Sequence, residues 1–235
     1  MQALSTEILG LLIITHVIVI MILGYWWYRS TKEYRLLGIV ILTVWFGATV
    51  YLSLNNLLTD FTVLPPPMAI AMTIPVMIGL WMLFRVDTLQ RIMMRLPLYG
   101  IIVIQVYRVL GAVFLLAWFN DEMASALSLT TGIMDVTVGL LAAFILAFRI
   151  NNRALLIGWN ILGLADFAYS VTLSLFAAPT VIQVIDLHGV ELLAQQPLSL
   201  ISLWAVPLSI LLHSVALYQL IQSKSDVTTQ GALTI

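Results

Sequence analysis

The dominant pattern along the chain is a series of long apolar stretches separated by short polar linkers. Each stretch supplies roughly the 20 apolar residues that a helix needs to cross a bilayer. The third begins at Pro65 and contains Pro75, which a membrane helix tolerates when neighbouring groups satisfy the freed carbonyl. The pattern predicts an all-α polytopic membrane protein with seven transmembrane helices, at about residues 7–28, 36–58, 65–84, 97–118, 124–148, 154–177 and 197–222.

Composition supports a lipid-embedded chain. Of its residues 62% are hydrophobic and only 9% are charged, whereas soluble domains carry about 25% charged residues. A net charge of −1 without any basic run gives no case for nucleic acid as a partner, and the absence of cysteine excludes disulfides and thiolate metal sites. The lipid bilayer is therefore the expected partner.

The basic residues predict an orientation, because Lys and Arg concentrate in cytoplasmic linkers. They follow the first, third and fifth helices and the seventh, while the other linkers have none. This alternation places the N-terminus outside and the C-terminus in the cytoplasm, in the plasma (inner) membrane. We expect one domain, a bundle over 1–222, followed by a polar cytoplasmic tail over 223–235. The linker 178–196 is long enough for a short outer helix or a lid.

Five ionisable side chains lie far inside the apolar stretches. Each charge placed there costs about 2.5–3.5 kcal/mol on insertion scales, so such residues are functional candidates. With a rise of 1.5 Å per residue, all five fall at a similar depth. They are Arg108, Asp135 and Asp166, with His16 and His213.

Helical spacing predicts that these groups face the interior of the bundle. Asp135 lies on a stripe of small and polar residues that includes Thr131 and Gly139, and comparable stripes contain Asp166 and His213. Small residues allow close helix approach, and polar ones find partners at helix interfaces. Both acids also follow a glycine by one turn, in "GIMD" and "GLAD", which leaves room for a partner side chain, water or ligand.

The charges do not balance within this layer. Arg108 can bind a carboxylate in bidentate fashion, but one arginine cannot neutralise both Asp135 and Asp166. A proton, a bound cation, a metal or a charged histidine must supply the rest. We expect one aspartate to be ionised and the other to hold a proton, with His213 as proton partner or metal ligand and His16 as a fifth member. The alternative is a structural clasp that fixes helix order without a ligand.

Weaker candidates surround this group. Asn160 is nearer the cytoplasmic end and on a different face from Asp166, and Gln105 and Ser209 are candidate hydrogen-bonding neighbours. No metal site is assigned, although His16 and His213 could ligate one. No lysine lies inside any helix, so a retinal Schiff base is unsupported, and zinc hydrolases with seven helices carry about three intramembrane histidines where this chain has two.

Four short motifs resemble elements of a family of bacterial seven-helix integral membrane proteins of unknown function. They are "YRVLG" at 107–111, "GIMDVTVG" at 132–139, "WNILGLAD" at 159–166 and "VPLSILLH" at 206–213. The resemblance covers roughly the C-terminal half. It implies a standalone bundle and points to Arg108, Asp135, Asn160, Asp166 and His213, but it supplies no activity.

Three classes of function remain open. The leading hypothesis is a buried site of Arg108, Asp135, Asp166 and His213 that binds a small ligand, ion or cofactor, or relays protons. The second is an accessory subunit of a larger membrane complex, with other membrane subunits as partners. The third is a haem- or metal-dependent membrane oxidoreductase or hydrolase. The residues do not decide whether the protein is an enzyme, and they name no cofactor.

Overall fold

The protein is an all-helical bundle. The computed structural model describes the backbone of residues 2–232 and the side chains of residues 6–222, so the side chains of the expected tail, 223–235, lie outside the described residues. Seven helices are long and apolar enough to cross a membrane, which confirms the predicted number. They are α1 (Thr6–Ser30), α2 (Arg35–Leu54), α3 (Pro67–Arg85), α4 (Leu98–Phe119), α5 (Ser125–Ala147), α6 (Arg153–Ala177) and α7 (Leu198–Gln222).

Most predicted boundaries differ from the observed ones by a few residues. The last helix continues to Ala232, beyond the predicted end near 222, and α2 ends at Leu54 and not near 58. The side chain of Asn55 donates to the carbonyl of Tyr51 at 2.8 Å, and Asn56 has a left-handed backbone with φ of 53°. Asparagine tolerates this conformation better than most residues, so the helix stops there.

Helix α7 occupies the centre of the bundle. Of its 18 most apolar consecutive residues, 72% are buried, against 50% or less in every other spanning helix. It packs on α2, α3, α4 and α6, while α5 lies between α4 and α6, and α1 packs on α2 and α4. Most polar groups on α7 are therefore buried inside the bundle.

Hydrogen bonds join chain segments at the two ends of the bundle. At one end, the amide of Ala124 donates to the carbonyl of His188 at 3.0 Å, which ties the long linker 178–196 to the linker before α5. At the other end, Nε of Arg153 donates to the carbonyl of Leu220 at 2.8 Å. At the same end of the bundle, the linker between α3 and α4 contains a short helix, Asp87–Met93. The direction in which the bundle crosses a membrane stays a prediction.

Two spanning helices change their winding within the bundle. In α4, residues Val106–Gly111 form a 3-10 helix, and in α7, Ile201–Ala205 form a π-helix. The π segment precedes Pro207, which has no amide proton to donate to a carbonyl one turn earlier, and such interruptions widen a helix. Neither change follows from hydrophobic periodicity. Both occur beside the buried charges.

Candidate functional site

Arg108 joins the two buried aspartates. It lies in the 3-10 segment of α4, and its Nε donates to Oδ1 of Asp135 on α5 at 2.8 Å. Its Nη2 contacts the same oxygen at 2.7 Å and also donates to Oδ2 of Asp166 on α6. The three charges that the sequence places at one depth therefore form one ion cluster across three helices.

The cluster is shielded from solvent and lipid. Exposure is 3% for Arg108, 5% for Asp135 and 2% for Asp166. The guanidinium carbon of Arg108 lies 4.1 Å from the centre of the Phe167 ring, so the flat face of the cation is covered by an aromatic ring. With both acids ionised, the cluster carries one negative charge in excess.

The third nitrogen of the guanidinium, Nη1, points to His213. Nη1 of Arg108 lies 3.1 Å from Nε2 of His213, and Nδ1 of that ring lies 2.8 Å from Oδ1 of Asn160. The amide nitrogen of Asn160 donates to the carbonyl of Leu156, so its oxygen faces the ring and accepts. His213 is therefore the neutral tautomer with its proton on Nδ1, and Nε2 accepts from arginine. This arrangement leaves the excess negative charge of the cluster uncompensated by histidine.

Glycines allow these groups to meet. A Cβ on Gly163 would stand 2.6 Å from Cε1 of His213 and 3.0 Å from Nη1 of Arg108. A Cβ on Gly139 would stand 2.8 Å from the backbone nitrogen of Val109, so that glycine admits the 3-10 segment. The space expected one turn before each acid is thus filled: by His213 and Arg108 at Gly163, and by Leu115 at Gly132.

A chain of hydroxyls extends the cluster along α5 and α6. Ser170 donates to Oδ1 of Asp166 at 3.4 Å and lies 2.8 Å from the hydroxyl of Thr131. Both residues belong to the polar stripes that contain Asp135 and Asp166. They add uncharged hydrogen-bonding groups that can reorient, because a hydroxyl can donate or accept.

A second polar network fixes α4 to the π segment of α7. The hydroxyl of Tyr107 donates to the carbonyl of Ala205 at 2.7 Å and lies 2.7 Å from the hydroxyl of Ser209. Ser209 in turn donates to Oε1 of Gln105 at 3.0 Å. Gln105 and Ser209 therefore hydrogen-bond to each other across the helices, next to Tyr107.

His16 on α1 lies next to this network without joining it. Its Nδ1 lies 2.6 Å from the carbonyl of Leu12, and its ring packs edge-on against Tyr107 with centroids 5.7 Å apart. The residue is completely buried. Its Nε2 has no hydrogen-bond partner among the side chains described, 6–222.

Two cavities meet at Asp135. The larger, of about 70 Å³, lies between α3, α5, α6 and α7 and extends from Asp135 to the end of the bundle that carries the linker 178–196. Its wall is mainly apolar, with a polar strip of Thr131, Ser170, Ser174 and Ser202. The smaller, of about 20 Å³, is lined by His16, Tyr107, Arg108, Asp135 and Ser209.

Sequence reasoning missed several residues of this site. Tyr107 and Phe167 directly adjoin charged residues in sequence, where regular helical spacing would turn them to other faces. Tyr107 belongs to the motif at 107–111, which gives no indication of its role, and Phe167 has no sequence signal for its position over the guanidinium. Asn160, expected on a different face from Asp166, reaches the cluster through His213.

The geometry does not support the hypothesis of a metal site. Within residues 6–222, no group of three His, Cys, Asp or Glu side chains is arranged to hold a metal ion. His16 and His213 are the residues that the sequence offers as ligands. Both ring nitrogens of His213 are already engaged by protein groups.

Comparison with known families gives one match. A model described as a domain of unknown function, DUF8737, matches residues 65–221, which is more than half of the chain. The chain belongs to the DUF8737 family. The DUF8737 region spans α3 to α7 and contains Arg108, Asp135, Asp166 and His213, but not His16. No curated protein and no solved structure matches the chain.

Proposed function

We propose that this DUF8737 protein is a membrane protein that binds a small amphipathic cation at a buried site. The ligand occupies the larger cavity, with its charged or hydrogen-bond-donating head toward Asp135 and the hydroxyl strip, and its apolar body against α3 and α7. The observation that carries the proposal is the position of a buried cluster of one arginine and two aspartates at the inner end of a mainly apolar cavity.

Charge balance favours a monocation. Arg108 contributes one positive charge, ionised Asp135 and Asp166 contribute two negative charges, and the tautomer of His213 is neutral. A buried charge that lacks a partner is costly, so the cluster takes up either a proton or a cationic ligand. If a cationic ligand replaces the proton, ligand binding is coupled to proton release. The hypotheses of ligand binding and of proton handling then describe the same site.

The size and the apolar wall of the cavity favour a short apolar body. A cavity of about 70 Å³ has room for several water molecules or a small organic group, since one water needs about 10–15 Å³ on this measure. Apolar walls with a few convergent polar groups are typical of small-molecule sites. A purely structural clasp requires the ion pairs but not this adjoining space.

The test uses an isosteric pair of probes with the full chain in lipid nanodiscs. We expect isobutylammonium to raise the thermal unfolding temperature in a saturable manner, and isobutanol, with the same carbon skeleton, to raise it less. Ser174→Leu fills the cavity, because Ser174 lines it and bonds only the carbonyl of Ser170 in its own helix. That variant should lose the response, whereas Thr172→Leu, which is exposed on the same helix, should keep it. No saturable response to either probe would contradict the proposal.

A further inference from the structure

The strongest feature outside the proposed ligand cavity is the small cavity beside His16. It lies between α1, α4, α5 and α7, and His16, Tyr107, Arg108, Asp135 and Ser209 supply its polar wall. At about 20 Å³ it has the room that one water molecule needs, which is about 10–15 Å³ on this measure.

Two hydrogen-bond acceptors border this cavity without a donor among the side chains of residues 6–222. Nδ1 of His16 lies 2.6 Å from the carbonyl of Leu12. A carbonyl only accepts, so Nδ1 carries the proton and Nε2 of the neutral ring is an acceptor. The second acceptor is Oδ2 of Asp135, because Arg108 binds Oδ1 of that residue. Oδ2 lies beside Gly111, where a Cβ would stand 2.6 Å from it, and Gly111 lines the same small cavity.

The neighbouring hydroxyl groups cannot satisfy these acceptors. The hydroxyl groups of Tyr107 and Ser209 lie 2.7 Å apart, and their two protons are taken up by this contact, the carbonyl of Ala205 and Oε1 of Gln105. Each hydroxyl has one proton to donate. Arg108 faces the cavity too, but its hydrogen bonds go to Asp135, Asp166 and His213. A donor for Nε2 of His16 must therefore come from a bound molecule.

We infer that one buried water molecule bridges His16 and Asp135, donating one hydrogen bond to Nε2 of the histidine and the other to Oδ2 of the aspartate. Water is the ligand of this size that offers two donors, and buried waters commonly satisfy polar groups left unpaired by the protein. The bridge links α1, which lies outside the DUF8737 match, to the ion cluster. When Oδ2 of Asp135 carries a proton, it donates to the water instead, and its proton can pass to the water while a proton of that water passes to Nε2 of His16. This inference does not depend on ligand binding in the larger cavity.

Infrared difference spectroscopy of the full chain in nanodiscs tests the bridge. We expect an O–H stretching band of a buried water that shifts on exchange into heavy-oxygen water. The band should be lost in His16→Leu, which replaces the acceptor by an apolar group of similar size, and kept in His188→Leu. His188 is a suitable control because its side chain is 60% exposed in a linker. The absence of an isotope-sensitive band, or its persistence in His16→Leu, would overturn the inference.

Magnetic resonance of isotope-labelled histidine provides a second measurement. The chain has only three histidines, so each signal can be assigned by single substitutions. We expect His16 to carry its proton on Nδ1 and to show a hydrogen-bonded Nε2 that correlates with water protons. The same signal should move in Asp135→Asn while that of His188 does not. A proton on Nε2, or an Nε2 signal typical of a free lone pair, would overturn the bridge even if Asp135→Asn fails to fold.

Discussion

Nη1 of Arg108 donates to Nε2 of His213 over 3.1 Å. An arginine has only donors, so the histidine must accept, and this fixes the ring as a neutral tautomer. The tautomer is supported on the other side of the ring by Asn160, whose oxygen accepts from Nδ1 at 2.8 Å. The charge that balances the second aspartate therefore does not come from His213 in this arrangement.

The first prediction concerns the support of that tautomer. Asn160→Leu removes the acceptor for Nδ1, so the buried N–H of His213 loses its partner. We expect the His213 signal of isotope-labelled protein to change position or to split between tautomers. Asn120→Leu, at an exposed position in a linker, should leave the signal unchanged. An identical His213 signal in Asn160→Leu and in the parent chain would argue against the tautomer assignment.

The second prediction concerns removal of the cation. Arg108→Met leaves two buried carboxyl groups without their counterion, and breaking a buried ion pair in this way costs about 3–5 kcal/mol. We expect a loss of this size in the free energy of unfolding at neutral pH, measured by reversible denaturation in mixed micelles. The loss should shrink as the pH falls, because protonation removes the uncompensated charge of both carboxyls.

Arg95→Met is the control for this substitution, since Arg95 is exposed at one end of the bundle. It should change the free energy of unfolding by less than about 0.5 kcal/mol. An equal loss in both variants, or a loss in Arg108→Met that is independent of pH, would be inconsistent with a buried ion cluster.

The third prediction uses two glycines of α6. In Gly163→Ala the new methyl group meets His213 and Arg108, and overpacking of this kind costs about 1–3 kcal/mol. In Gly158→Ala the methyl group meets nothing within 4 Å, and alanine should stabilise the helix by roughly 0.5–1 kcal/mol. The two variants should therefore shift the free energy of unfolding in opposite directions. Equal effects would mean that the absence of a side chain at Gly163 is not needed for the close approach of His213 and Arg108.

The fourth prediction concerns the π segment of α7. Tyr107→Phe removes the hydroxyl that donates to the carbonyl of Ala205 at 2.7 Å. Leaving a buried acceptor unsatisfied costs about 1–3 kcal/mol, and we expect a loss of that size. Tyr51→Phe, at a residue that is 61% exposed, provides the matched control and should be nearly neutral. If the two losses are the same, the hydroxyl of Tyr107 does not stabilise the π segment.

The sequence predicts the helices of this protein better than it predicts the site. Long apolar stretches specify seven helices because their length and composition reflect the thickness of the bilayer. Depth counting brings Arg108, Asp135, Asp166 and His213 to one layer, because regular helices convert residue number into height. The contact of Arg108 with both acids follows from that layer only once the packing order of α4, α5 and α6 is known.

The unpredicted parts of the site depend on departures from regular helices. The 3-10 segment Val106–Gly111 changes the face that Tyr107 presents. Periodicity assumes one constant winding, so it cannot place this residue. The two cavities likewise arise from the way in which separate helices pack, which no local pattern encodes.

The central claim is that the ion cluster is a binding site and not only a clasp, and Asp135→Asn tests it most directly. The variant keeps the shape of the side chain but removes its charge. We expect isobutylammonium to raise the unfolding temperature of the parent chain in nanodiscs and to have little effect on a folded Asp135→Asn variant. If the variant is less stable yet responds to isobutylammonium as strongly as the parent chain, Asp135 is a structural clasp and the proposed function is wrong.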